Sequence, residues 1–291
     1  MILKPALSIP DTRAAERPGP EASLQRARGL GRISVKLGVG AEGLVTRLDR
    51  LHQDGCGKIR LPRDAAAHGL EAVLINTAGG LTGGDRLSWN ADAAAGTRLT
   101  LTTQACEKLY RAEAGRAEVE TRLSVGAGAR LDWLPQETIL FDGAALARRL
   151  DVDLAADATL LAVEAVILGR TAMNETVRRG ELRDRWRIRR EGRLVFADDL
   201  ALAGPIAATA AAAPLLGGAR AFASLLLMAQ DADRFLAPLR AAIAGVGAAS
   251  AFDGKLFCRL VAEDGLALRR ALIPALAILR DGQPCPRVWR L

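Results

Sequence analysis

The sequence has little of what most metal sites and nucleophilic centres are built from. Among 291 residues there are two histidines, His52 and His68, and four cysteines, Cys56, Cys106, Cys258 and Cys285. No two cysteines are spaced as Cys-x-x-Cys. Imidazole and thiolate are the usual ligands of zinc, copper and nickel, so a tight site for these ions is hard to assemble from this chain alone. A chain of this length, with so few cysteines, also does not need disulfides. Lysine is scarce: only Lys4, Lys36, Lys58, Lys108 and Lys255 occur among the 40 basic residues, and arginine supplies the rest. A GC-rich genome accounts for an Arg and Ala skew without a functional demand. The net charge of +7 bears on solubility and on an acidic partner protein rather than on fold. Aromatics are few (four Trp, six Phe, one Tyr), and no basic stripe is interleaved with them, so nucleic acid is not an expected partner.

Long hydrophobic runs are missing as well. The one long uncharged stretch, Leu200 to Ala219, is mostly alanine and contains Gly204, Pro205, Pro214, Gly217 and Gly218. A membrane-spanning helix wants bulky apolar residues, so this stretch reads as a linker or loop against the core. Residues 1–23 carry Lys4, Asp11, Arg13, Glu16 and Arg17 with four prolines and no apolar segment. They read as a flexible tail rather than a secretory signal, and the cytoplasm is the expected location.

What is present is alternation. Ile33–Leu37, Leu44–Leu48 and Lys58–Leu61 read as strands, with Gly38, Gly40, Gly43, Gly55 and Gly57 as turns between them. Ala72–Asn76 reads as a short buried strand. A unit then repeats. The turns Ala94–Leu99, Gly126–Leu131 and Ala155–Leu160 each follow an alternating strand, carry Gly96, Gly128 or Asp157 at the third position, and lead into a strand that starts at Leu. The spacings are near thirty residues, which favours stacked layers over an ordinary β-sandwich. Positive φ at the third position would let the chain fold back sharply. Strands continue through residues 182–202. Beyond them, Asp231 is a candidate N-cap for a helix through Phe235, Leu236, Leu239 and Ile243. Lys255–Val261 reads as a strand. Leu268, Leu272, Leu276 and Leu279 share one helix face, kinked by Pro274. Pro286–Trp289 reads as extended. The expected fold is mainly β, a β-helix or solenoid-like stack of short strands with a few α-helices toward the C-terminus. The expected units are a tail (1–23), a β-stack domain (24–202) and an α+β part packed on it (203–291).

The densest motif is Asn76 to Asp85, with Gly79-Gly80 and Gly83-Gly84. A phosphate loop or dinucleotide fingerprint needs a following helix, and a phosphate loop also needs a lysine; neither is present. Two Gly-Gly pairs instead imply a tight turn or a closely approaching backbone, with Asp85 as a cap. No Gly-x-Ser-x-Gly occurs. Cys106 could serve as a nucleophile, but a small buried thiol is the commoner state. The carboxylates are more informative. Glu137 and Asp142 flank Thr138–Phe141, Glu164 lies inside the apolar run Leu160–Leu168, and Glu175 and Asp198 lie near later strands. A buried acid is costly unless it is paired or wet. Pairing with arginine is one answer. A water-filled interior whose oxygens pass a borderline cation weakly is the other.

Several blocks together resemble the urease accessory protein family UreD, also called UreH. They are Gly79–Asp85, Thr102–Arg111 with Tyr110 and Arg111, Trp133–Ala144, Leu168-Gly169-Arg170 with Glu175, and Pro286–Trp289. They run in order over residues 30–291. The resemblance implies a non-catalytic scaffold for urease maturation that works with a UreF accessory protein and the UreG GTPase and docks on apo-urease. It implies no tightly bound cofactor, only nickel in transit, and an internal tunnel for which Asp85, Glu164 and Asp198 are the candidate metal-path acids. The alternative is an interaction adaptor with no metal passage. A hydrolase using Cys106 is a third reading.

Overall fold

Alternating side chains commit each short segment to a strand with one buried face, and the glycine turns bring successive strands back over one another. The computed structural model describes residues 25–289 apart from 42, 63–68, 171, 172 and 174. The tail reading over 1–23 and His68 lie outside the described residues. β1 (Arg28–Gly40) and β2 (Gly43–Gly55) form an antiparallel hairpin, followed by β3 (Gly57–Arg60) and β4 (Leu70–Asn76). Gly38 lies inside β1 rather than at a turn. The chain then coils through β5 (Arg86–Ala93), β6 (Arg98–Thr103), β7 (Glu107–Leu109), β8 (Ala117–Val125), β9 (Arg130–Leu134), β10 (Thr138–Leu140), β11 (Ala145–Leu154) and β12 (Thr159–Leu168). A second hairpin, β13 (Gly180–Arg190) and β14 (Arg193–Gly204), follows.

Successive strands alternate between two sheets, as a solenoid requires. In the first, β5, β8, β11 and β13 lie parallel, with a hairpin at each edge. In the second, β4, β6, β9 and β12 lie parallel. The repeated turns at 94–99, 126–131 and 155–160 stack in register, so Leu99 faces Leu131 and Leu131 faces Leu160. Gly96 and Gly128 have φ of 72° and 63°. Asp157 does not adopt positive φ; its carboxylate instead accepts the Gly128 N–H at 2.8 Å, tying one turn to the next.

A third, shorter ladder runs along another corner. Leu81 pairs with Leu109, Leu109 with Leu140, and Leu140 with Leu168, all in parallel and all buried. Each such leucine contributes about 1.5–3 kcal/mol on burial, so the column fixes the coil spacing at this corner. The structure is therefore mainly β, a β-solenoid stack with a few C-terminal α-helices.

Residues after 204 extend the second sheet. α1 (Ile206–Ala211) leads to β15 (Ala221–Met228), which pairs antiparallel with β12; then come α2 (Leu236–Ala242), β16 (Gly247–Phe252), β17 (Lys255–Ala262) and α3 (Gly265–Leu279). The Leu200–Ala219 stretch thus holds the end of β14, a short helix and turns. Asp231 makes no side-chain cap: a 3-10 turn over Ala232–Phe235 comes first, and α2 starts only at Leu236. Asp264, not predicted, caps α3 through Ala267 N–H. α3 continues through Pro274. Its Leu268, Leu272, Leu276 and Leu279 pack toward β15 and β17 and are buried in one apolar cluster with Leu161, Val163 and Ala165 of β12. β12 is covered on both faces, which is why its sequence is a continuous apolar run rather than an alternation.

α3 and the residues after it clasp the coils. Arg280 Nε donates to Asp132 at 3.0 Å, and Arg130 holds the other Asp132 oxygen at 2.8 Å. The end is a 3-10 turn over Arg287–Trp289, not an extended segment. That turn drives Trp289 into the core, where its indole N–H reaches Thr102 Oγ1 at 3.1 Å and the Leu134 carbonyl at 3.2 Å. Among the described residues no helix is long and apolar enough to cross a membrane.

Candidate functional site

The inward face of β11 reads Leu146, Arg148, Leu150, Val152 and that of β13 reads Leu182, Asp184, Trp186, Ile188, so strand parity alone places two charges between the sheets. Arg148 and Asp184 are register partners, and Arg148 Nη2 donates to Asp184 Oδ2 at 2.6 Å. From the facing sheet, Glu164 of β12 meets Arg148 Nη1 at 2.5 Å and accepts the Trp133 indole N–H at 2.9 Å. Arg148 also donates to Thr138 Oγ1. Glu164, Ser224 and Arg259 follow one another across the second sheet in register. Arg259 reaches across to Asp198 of β14, with both carboxylate oxygens within 2.8 Å.

These groups form one polar layer between two apolar walls. It begins fully buried at Trp133 and Glu164 and becomes wetter at Arg259, whose side chain is 40% exposed. There it borders a cavity of about 330 Å³ lined by Asp199, Leu202, Phe222 and Leu260 among others. Burial pushes Glu164 up to about 7 despite the opposing pull of Arg148. Burial likewise raises Asp198, opposed by Arg259. With every group charged, three carboxylates face two guanidiniums, an excess of one negative charge, and a proton on Glu164 cancels it. Asp184 Oδ1 and Arg148 Nε are buried without a hydrogen-bond partner among the described residues.

The three candidate metal-path acids therefore do not sit together. Glu164 and Asp198 share the polar layer. Asp85 lies elsewhere, 5% exposed at the glycine turn, where its two oxygens accept the N–H groups of Ala27 and Thr82, each at 2.8 Å. It caps the turn and holds the segment that enters β1. Glu137 is also buried and taken: Arg269 of α3 binds it through two nitrogens, and the Cys106 thiol donates to it at 3.3 Å. Burial and Glu137 push Cys106 up to about 12, so it is a protonated thiol at neutral pH and a poor nucleophile. Among the described residues no group of three or more His, Cys, Asp and Glu is arranged to hold a metal ion. Glu107 accepts both bonds of the Asn76 amide, and burial pushes it up to about 7.

The remaining motif residues converge on the surface beside the leucine ladder. The position after each ladder leucine is Thr82, Tyr110, Phe141 and Gly169, and the next is Gly83, Arg111, Asp142 and Arg170. Gly80 has φ of 149°, and a Cβ there would lie 2.4 Å from the Tyr110 ring. Tyr110 meets Phe141 edge-on at 5.2 Å, and the Arg170 guanidinium lies over Phe141 at 4.4 Å. Glu175 holds Arg170 with both oxygens and accepts the Asp142 N–H. Asp142 accepts the N–H groups of Arg178 and Arg179 at 2.8 and 3.0 Å. The result is a groove of about 590 Å³. The sequence reading quoted these residues as separate blocks and missed that they are one column. The signal was available: leucines at 81, 109, 140 and 168 recur with nearly the same period as the turns. Arg148 and Asp184 were missed too, although each is a charge in an inward register.

Known proteins match this chain over most of its length. The sequence profile of the UreD urease accessory protein family matches residues 31–290. The chain is 57% identical over 268 residues to the urease accessory protein UreD of Rhizobium leguminosarum bv. viciae, covering 92% of this chain and 96% of that one. It is 52% identical over 283 residues to that of Chelativorans sp. strain BNC1, covering 96% and 99%. It is 52% identical over 267 residues to that of Agrobacterium fabrum, covering 92% of each. The same coil corners, glycine turn and closing tryptophan that organise this structure thus lie within a match spanning nearly the whole chain, which belongs to the UreD family of urease accessory proteins.

Proposed function

We propose that the chain is a non-catalytic cytoplasmic scaffold for urease maturation. It works in a complex with a UreF-like protein and a UreG-like GTPase, docks on apo-urease and assists nickel insertion. The observation that carries this reading is the family match over residues 31–290. The lack of a phosphate loop is consistent with GTP hydrolysis belonging to the partner.

Nickel is the cargo on this reading, and the polar layer is its candidate path. Three features support it. The layer spans from buried Glu164 to half-buried Asp198. Its charge excess of one is what a passing cation would meet in place of a proton. Its ligands are oxygens, which bind nickel weakly enough to release it. Asp85 would then act at a separate point of the path, beside the glycine turn. The second reading, an adaptor without metal passage, is favoured by one observation: Arg148 and Arg259 already occupy the carboxylates and would repel a dication.

The Asp85→Asn/Glu164→Gln double variant separates the two. In a host whose only copy is this variant, the metal path requires urease to carry less nickel while the complex still assembles. Normal nickel content in urease removes the path and leaves the adaptor. A wild-type chain that binds neither accessory protein nor apo-urease would sink the scaffold itself.

A further inference from the structure

We infer that the groove beside the leucine ladder is a docking site for an acidic side chain of a partner protein. The inference rests on the scaffold reading only for which proteins carry that acid. Two guanidiniums at the groove are underused. The Arg111 and Arg178 side chains are 70% and 77% exposed, and both lean on the same carboxylate, Asp142, at 3.6 and 3.5 Å. Asp142 Oδ1 takes two backbone N–H groups, which hold its carboxyl below the usual range, and its Oδ2 meets both guanidiniums only at these long distances. Exposed pairs this long hold their arginines weakly, so both keep donors for an incoming acid.

The rest of the groove is tied together by side-chain contacts. Arg170 is clamped by Glu175 and lies on the Phe141 ring, and Tyr110 stands edge-on to that ring with 44% of its surface open to solvent. Fixed tyrosine and arginine side chains around a concave floor are the composition of an interface hot spot. The charge balance selects the ligand. Three arginines and two fixed carboxylates leave one net positive charge, which matches a single carboxylate. A phosphate, with close to two charges, would be driven against Asp142 and Glu175. The volume of about 590 Å³ is enough for an acidic side chain with its neighbours on a peptide.

The test uses the full chain co-expressed with the two accessory proteins and apo-urease. The Arg111→Glu/Arg178→Glu variant should lose about tenfold or more in affinity for one of them, equivalent to roughly 1.4 kcal/mol or more. Its melting temperature should stay close to wild type, because both side chains are exposed. Replacing Tyr110 by the photo-crosslinker benzoylphenylalanine should capture that partner at a peptide containing Asp or Glu. Reversing that acid to arginine should restore binding to the charge-reversed chain. Wild-type affinity in the double variant, or capture at a peptide without an acid, overturns the docking site and leaves the scaffold intact. A wild-type chain that binds none of the three proteins overturns both.

Discussion

Glu164 should make the fold less stable as pH rises toward neutrality, and Glu164→Gln should abolish that loss. The carboxyl is 4% exposed and is pushed from an ordinary 4.5 up to about 7, chiefly by burial. An acid whose folded value is raised keeps its full stabilising contribution below the unfolded value and loses it as pH climbs through the folded one. The window is therefore about pH 4.5 to 7. At 1.36 kcal/mol per pH unit the loss is on the order of 3 kcal/mol. Glutamine is isosteric with the protonated acid and does not titrate. Urea unfolding at pH 5, 6, 7 and 8 gives the assay. The variant should lead by somewhat under about 1 kcal/mol at pH 5, where the loss has only begun, and by about 3 kcal/mol at pH 8. Subtracting the two curves cancels the other titrating groups. A difference that stays flat across the range would refute the reasoning, because Glu164 would then be ionised throughout as an ordinary partner of Arg148. Glutamine, not alanine, is the informative change: truncation leaves Arg148 with Asp184 alone, and breaking a buried pair costs about 3–5 kcal/mol by itself.

Two further outcomes follow from the packing. Gly80→Ala forces a Cβ against the Tyr110 ring and the Lys108 carbonyl at a φ of 149°, and should cost about 1–3 kcal/mol or more, whereas Gly79→Ala, with φ of 78° and open space around it, should cost only about 1 kcal/mol; chemical denaturation separates the two. Trp289→Ala empties a fully buried site and breaks both indole hydrogen bonds, so a loss of about 3–5 kcal/mol is expected, against a smaller loss for Trp289→Phe, with thermal melts as the readout.

The strands and one set of corners were legible because their signals are local. Alternation marks a buried face wherever one side of a strand meets solvent, and the turns at 94–99, 126–131 and 155–160 share small residues at matching places. The leucine corner was less legible because the residues beside its leucines (Thr82, Tyr110, Phe141, Gly169) share no chemistry; only their position in the coil is common. Pairing with arginine was expected for the carboxylates, and the structure pairs Glu137, Glu164, Glu175 and Asp198 with Arg269, Arg148, Arg170 and Arg259. Which arginine serves which acid was not legible, since Arg269 and Glu137 meet across 132 positions. The split of the second helix after Asp231 was missed because an N-cap residue says nothing about whether the first turn is 3-10 or α. The turn at Trp289 was missed because four residues have no period to read.

The clasp by α3 and Trp289 also bears on how the protein is made. Arg280 and Trp289 bond to residues 148 and 187 positions earlier, so these coils wait, unclosed, until residues 280 and 289 have been synthesised. Parallel pairing already reaches about thirty residues back at every coil, and such distant contacts make folding slow. During that interval the outer face of β12 is bare, an apolar strand with no cover. A nascent chain of this kind is a natural client for holding chaperones and a natural aggregate without them.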